Sequence, residues 1–72
     1  MAEQLTDLAI LDLPYRRRAT LRRVEFDSGM TMVRLVLKEG TRITQVDLDT
    51  EAATALGEAL LTSARDIAGD IH

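Results

Sequence analysis

From Arg16 onward hydrophobic and polar residues alternate in three runs. Residues 20–26, 30–38 and 41–48 are rich in Val, Ile, Thr, Leu and Phe, side chains that suit a half-buried pleated surface. Asp27-Ser28-Gly29 and Lys38-Glu39-Gly40-Thr41 separate the runs, and each supplies a Gly able to take φ > 0 at a tight hairpin. The pattern predicts a three-stranded antiparallel meander.

Cross-strand partners in such a meander lie on one face, so the register can be tested against the pattern. With two-residue loops, Ser28-Gly29 and Glu39-Gly40, Val24 faces Val33 and Val33 faces Val46; Phe26, Leu35, Leu37 and Leu48 join them on an apolar core face. A one-residue slip would scatter this set, which favours the two-residue loops. The reverse face then carries Leu21, Val36 and Ile43 in one row, Arg23, Arg34 and Gln45 in the next, and Glu25, Met32 and Asp47 in a third. A solvated sheet face is normally polar throughout. This one is half apolar, which predicts a cover: either the N-terminal segment, 1–14, through Leu5, Leu8, Ile10, Leu11 and Leu13, or another chain.

After the strands the period changes. Asp49 is a good N-cap, Glu51 puts negative charge in the first turn and Gly69 is a stop, which predicts a helix over 50–68. Ala53, Leu56, Leu60, Ala64 and Ile67 form one stripe, flanked by Gly57, Leu61 and Ala68, with Glu51, Glu58, Thr62 and Arg65 opposite. The apolar arc is wider than the ~100° that a helix needs to dock on one sheet. Gly57 inside the helix costs ~1 kcal/mol relative to Ala, so it predicts close approach of the sheet or of a second helix along the Ala53, Gly57, Leu61 edge. The expected fold is α+β, a βββα domain over 15–69 with residues 70–72 as a frayed end.

Size changes what this fold implies. A chain of 72 residues buries only ~60% of the surface its unfolded form exposes. Domains this small usually need disulfides, metal or oligomerisation. There is no Cys, and the only His is His72 at the end of the chain, which leaves oligomerisation. The first acids, Glu3, Asp7 and Asp12, precede any base, unlike a signal peptide. No apolar run approaches the ~20 residues that span a bilayer, so a cytoplasmic location is expected. With 46% hydrophobic and 29% charged residues the composition is that of a globular domain rather than a disordered one.

Candidate chemistry is sparse. Ser28 and Ser63 have no neighbouring His to act as base. Asp47, Asp49, Glu51 and Glu58 fall on a calcium-loop spacing, but Ala52 stands where the sharp turn needs Gly, and the segment reads as helix. There is no Gly-rich phosphate loop. No catalytic residue, metal or cofactor is therefore expected, and the chain is not expected to be an enzyme. Net charge is −3 and uneven: residues 1–23 hold five Arg against three acids, and residues 24–72 four bases against nine acids. Arg16, Arg17, Arg18, Arg22 and Arg23 form the one cluster with functional promise, since Arg pairs bidentately with phosphate or carboxylate. On a strand these residues divide between faces. Only Tyr15 and Phe26 could stack on bases, whereas single-strand binders rely on several such platforms.

The stretch Ser28-Gly29-Met30, Arg34-Leu35, Glu39-Gly40-Thr41-Arg42, Thr44-Gln45 and Asp47-Leu48-Asp49, followed by Ala52 and Gly57, resembles a group of short uncharacterised bacterial proteins that share a domain of unknown function. The likeness covers about residues 14–62 and implies domain boundaries but no activity. In topology alone the chain is also similar to the PC4-like single-strand-binding modules, from which it departs in lacking stacking aromatics and Lys-rich strands.

Marginal size, surplus apolar surface and missing chemistry together predict a non-catalytic interaction module: a homodimer, or a small accessory subunit of a larger bacterial enzyme complex. Its expected partner-binding residues are Leu21, Met32, Arg34, Val36, Ile43, Gly57 and Leu61. The alternative is a nucleic-acid or anion-binding module centred on the Arg16, Arg17, Arg18, Arg22 and Arg23 cluster, with affinity that falls steeply with salt.

Overall fold

The computed structural model describes residues 3–70. Four strands, β1 (Gln4–Leu13), β2 (Arg17–Glu25), β3 (Thr31–Glu39) and β4 (Arg42–Leu48), precede one helix, α1 (Thr50–Asp70). The strands form one antiparallel sheet in the order β1-β2-β3-β4. The α+β class holds, but the expected three-stranded βββα arrangement is corrected to four strands and a helix. The N-terminal segment lies beside β2 as a strand and not over a sheet face. Without it the outer backbone groups of β2 would form an open edge, and β1 satisfies them.

The register is corrected as well. Phe26 donates its N–H to the carbonyl of Met30, and Gly29 donates to the carbonyl of Phe26, both at 2.9 Å. The β2–β3 connection is thus the three-residue loop Asp27-Ser28-Gly29, with Gly29 at φ +90°. A loop of this length, a tight turn followed by a left-handed residue, is a standard hairpin solution. It moves the register by one residue from the two-residue expectation, and a one-residue slip turns a whole strand over. Val24 therefore faces Met32 rather than Val33, and Leu21 faces Leu35 rather than Val36. At the β3–β4 turn the loop is Gly40-Thr41, and Val33 faces Leu48 and not Val46. That shift is two residues, so β4 keeps its expected face.

One face, here face A, carries Ala9, Leu11, Leu13, Ala19, Leu21, Val33, Leu35, Leu37, Val46 and Leu48; face B carries Leu5, Ile10, Thr20, Val24, Met32, Val36 and Ile43 among charged residues. Only Ala19 and Val24 are buried among the described residues, at 7% and 0% exposure. Val24 thus leaves the expected core face and is still the most buried side chain, with Leu5 and Met32 as its cross-strand neighbours.

The helix begins as expected. Asp49 accepts a hydrogen bond from the Ala52 N–H at 2.7 Å through Oδ1, which satisfies one of the free donors of the first turn, and its carbonyl accepts the first intrahelical bond from the Ala53 N–H at 2.9 Å. It continues through Gly69 to Asp70, so Gly69 is not the stop; residues 71 and 72, the rest of the expected frayed end, lie outside the described residues. What differs most is its packing. No described residue of α1 is buried, and Leu60 and Ile67 are both 64% exposed. The molecule is correspondingly extended, with a radius of gyration of 14.6 Å where a compact chain of this length has about 11 Å.

The β1–β2 turn holds two adjacent non-glycine residues in the left-handed region, Tyr15 at φ 64° and Arg16 at φ 60°. Such residues cost ~1 kcal/mol or more each. An Asn-Gly pair fits two such positions. Combining Tyr15→Asn with Arg16→Gly should stabilise the fold by about 1 kcal/mol, a Tm rise of roughly 5 °C for a chain this small. Thermal unfolding checks this, and a lower Tm would refute the strain.

Candidate functional site

The helix stripe and face A of the sheet are both apolar, and the two surfaces meet only in part. On face A the alternate residues Leu11 and Leu13 of β1, Ala19 and Leu21 of β2, Val33, Leu35 and Leu37 of β3, and Leu48 of β4 line one apolar cleft with Ala53, Leu56, Gly57 and Leu60 of α1. The cleft measures about 540 Å³. The helix approaches the sheet along β3 and β4. Leu11, on β1, is 52% exposed, and Leu61, on the far flank of the helix stripe, is 50% exposed. A Cβ built on Gly57 would meet no described atom within 4 Å, so the expected close approach of the sheet does not account for this glycine.

Face B has a different chemistry. Arg22 and Arg34 are cross-strand neighbours, flanked by Asp7 on β1 and Asp47 on β4. Arg22 Nε donates to Asp7 Oδ1 at 2.9 Å. Arg34 donates through Nε and Nη2 to both oxygens of Asp47, at 2.7 and 3.1 Å, and through Nη1 to Glu3 Oε1 at 3.1 Å. The two like charges are thereby bracketed by acids in one row across all four strands. The hydrogen bonds to Asp47 hold the Arg34 guanidinium protonated above its ordinary range, and the same bonds draw the Asp47 carboxyl below its own. The Arg34 side chain is only 14% exposed.

The same pairing accounts for most of the basic cluster. Arg18 meets Asp12 at 3.0 Å, Arg17 meets Glu39 at 2.7 Å and Arg23 meets Glu25 at 3.2 Å. With Arg22 on Asp7, four of the five arginines lie against an acid. Arg17 also sits over the Tyr15 ring, 5.7 Å from its centroid. Arg16, Arg17, Arg18 and Lys38 line a second hollow of about 380 Å³ at the hairpin ends, together with Asp12, Leu13 and Gly40.

The expected partner-binding residues do not form one patch. Met32, Arg34, Val36 and Ile43 lie on face B, Leu21 on face A, and Gly57 and Leu61 on the helix. Leu11, Leu13 and Ala19, which line the cleft, were not among them. Their signal is the i, i+2, i+4 run of Ala9, Leu11 and Leu13, which reads as strand once β1 is recognised. Of the calcium-spaced acids, Asp47 holds Arg34 and Asp49 caps the helix. Among the described residues no group of three or more His, Cys, Asp or Glu side chains could hold a metal ion, and no helix is long and apolar enough to cross a membrane.

The model of a family of unknown function, DUF6967, matches residues 2–66. The chain belongs to that family. The match runs from just before β1 to Asp66 of α1. No curated protein matches the chain significantly, and no solved structure does.

The Arg34–Asp47 pair makes a prediction about pH. The Asp47 pKa is lowered on folding, so its stabilising contribution is fully present above the unfolded carboxyl pKa of about 4 and is lost as pH falls through the lower folded value. Asp47→Asn should lower Tm at pH 7, and the gap to the wild type should close on acidification below about pH 4. Equal Tm values at pH 7 would show that the pair contributes nothing.

Proposed function

We propose that this chain is a non-catalytic protein–protein interaction module that works through face A and α1, either in self-association or as a small subunit of a larger assembly. The observation that carries the reading is the cleft: an apolar sheet face and an apolar helix stripe border it, no described residue of the helix is buried, and of the cleft's sheet lining only Ala19 is. Exposed apolar surface of this extent on a small chain marks an interaction site. Its walls are leucine, valine and alanine with no titratable group among them, which suits a macromolecular surface better than a reaction. Pairing of Arg17, Arg18, Arg22 and Arg23 with acids weakens the field that an anion- or nucleic-acid-binding reading requires.

Leu60→Glu and Ile67→Glu test the proposal at residues that are 64% exposed. In a chain that works alone, each change should leave stability within ~0.5 kcal/mol. In an interaction module each should cost upwards of 2 kcal/mol of association or of association-linked stability. Sedimentation and thermal unfolding of the purified protein, with any co-purifying chain, read the difference. Unchanged size and unchanged stability in both variants would sink the reading.

A further inference from the structure

We infer that the occupant of the cleft is a second copy of this chain, whose α1 lies over the β1–β2 half of face A while the first copy's α1 does the same in return. The inference rests on the interaction reading above and names its partner.

Width is the first argument. Four strands ~4.8 Å apart present about 19 Å of sheet, and a helix with its side chains covers about 10 Å. Helix α1 takes the β3–β4 side, which leaves a strip one helix wide over Leu11, which is exposed, Leu13 and Leu21, which are half-buried, and the small Ala19 buried between them. The second argument is area. The chain exposes 5945 Å², against about 4,450 Å² for a compact protein of its mass. The surplus of about 1,500 Å² comfortably exceeds the ~800 Å² that each partner contributes to a standard stable interface. Gly57 is the third. It borders the cleft, weakens the helix and has open space where a Cβ would stand, so its side of α1 admits another backbone at close range. The chain itself already carries the amphipathic helix that fits the strip, and two-fold symmetry fills both clefts with one contact used twice. The two helices then cross at the Gly57, Leu61 edge.

Because the chain has no Cys, single cysteines report the contact directly. Gly57→Cys, on the crossing edge, should give a covalent dimer on mild oxidation; Arg65→Cys, on the polar side of α1, should not. Wild-type protein should sediment as a dimer at micromolar concentration, and Leu60→Glu should weaken its self-association about thirtyfold or more. A covalent dimer from Gly57→Cys together with a wild-type dimer supports the inference. A dimer that cross-links through Ile43→Cys on the outer strand β4, and not through Gly57→Cys, overturns it in favour of edge-to-edge pairing. A wild-type monomer at millimolar concentration that still binds an apolar dye overturns the second copy as occupant and leaves the interaction reading standing. A monomer that binds no dye, with the amides of α1 and face A protected from exchange, overturns both.

Discussion

The turn at Asp27-Ser28-Gly29 decides which side of the sheet every residue of β2 occupies. Gly29 at φ +90° lets the chain reverse in three residues, and L side chains rarely adopt that angle. With this loop Ala19 and Leu21 join Leu35 and Leu37 on face A, while Arg18 and Arg22 go to face B. A loop shorter by one residue would exchange the two sets. Arg18 and Arg22 would then stand among the leucines of face A, and Leu21 would stand among the charges of face B. Charged groups placed among those leucines would oppose any covering of the face, so the turn and the two-sided character of the sheet are one constraint. The irregularity between Asp7 and Ala9 does the same for β1. Leu8 is the extra residue there, and it lets Asp7 meet Arg22 on face B while Ala9, Leu11 and Leu13 meet face A. A bulge of this kind also discourages a further strand from adding to that edge.

The charges on face B complete the asymmetry. Arg34 sits near the middle of the sheet and is bonded to Asp47 on one edge strand and to Glu3 just before the other, so a single guanidinium ties the two ends of the chain's strand order together. Half-exposed ion pairs add little stability each. What they do is specify. A face with Asp7, Arg22, Arg34 and Asp47 in register has its charges satisfied as it stands, and covering it would desolvate that row along with the exposed Leu5, Ile10 and Ile43. Face A has no such row through its centre, so covering it would remove apolar surface from water without desolvating paired charges. The direction of the exposed surface is therefore set by the same register that the turn imposes.

Much of this was legible in the chain. The runs that became β2, β3 and β4 alternate cleanly, and Asp49 as a cap follows from its position before an apolar 3.6-residue period. β1 was hidden because Leu8 interrupts its alternation: Leu8, Ala9, Ile10 and Leu11 read as one apolar run, and only pairing with β2 separates them into Ile10 on one face and Ala9 and Leu11 on the other. The β2–β3 register was missed for a related reason. Ser28-Gly29 and Asp27-Ser28-Gly29 both close a hairpin, and the shorter loop gathers Val24 and Phe26 with Val33 into a plausible core. The choice between them depends on Arg18, Arg22 and Asp7, and Asp7 counts only once β1 is a strand. The arginine cluster was visible, but three of the four acids that pair with it, Asp7, Asp12 and Glu39, belong to neighbouring strands and lie up to 22 residues away, as Glu39 does from Arg17. Sequence proximity exaggerates such a cluster whenever its counter-charges come from the next strand.

The helix brings these threads to one point. In most domains of this kind a C-terminal helix closes the apolar face of its own sheet. Here the helix reaches β3 and β4 but neither β2 nor β1, and the area left open is set by geometry rather than by any single residue. Adding β1 satisfied the backbone of β2 but widened face A beyond what one helix covers. The chain thus solved an edge problem by creating a face problem, and a face problem is solved by another helix. In the proposed dimer stability would depend on association, since whatever binds the folded form raises its apparent stability with concentration. For a chain of 72 residues with no Cys, the proposed dimer would make folding and association two halves of one transition.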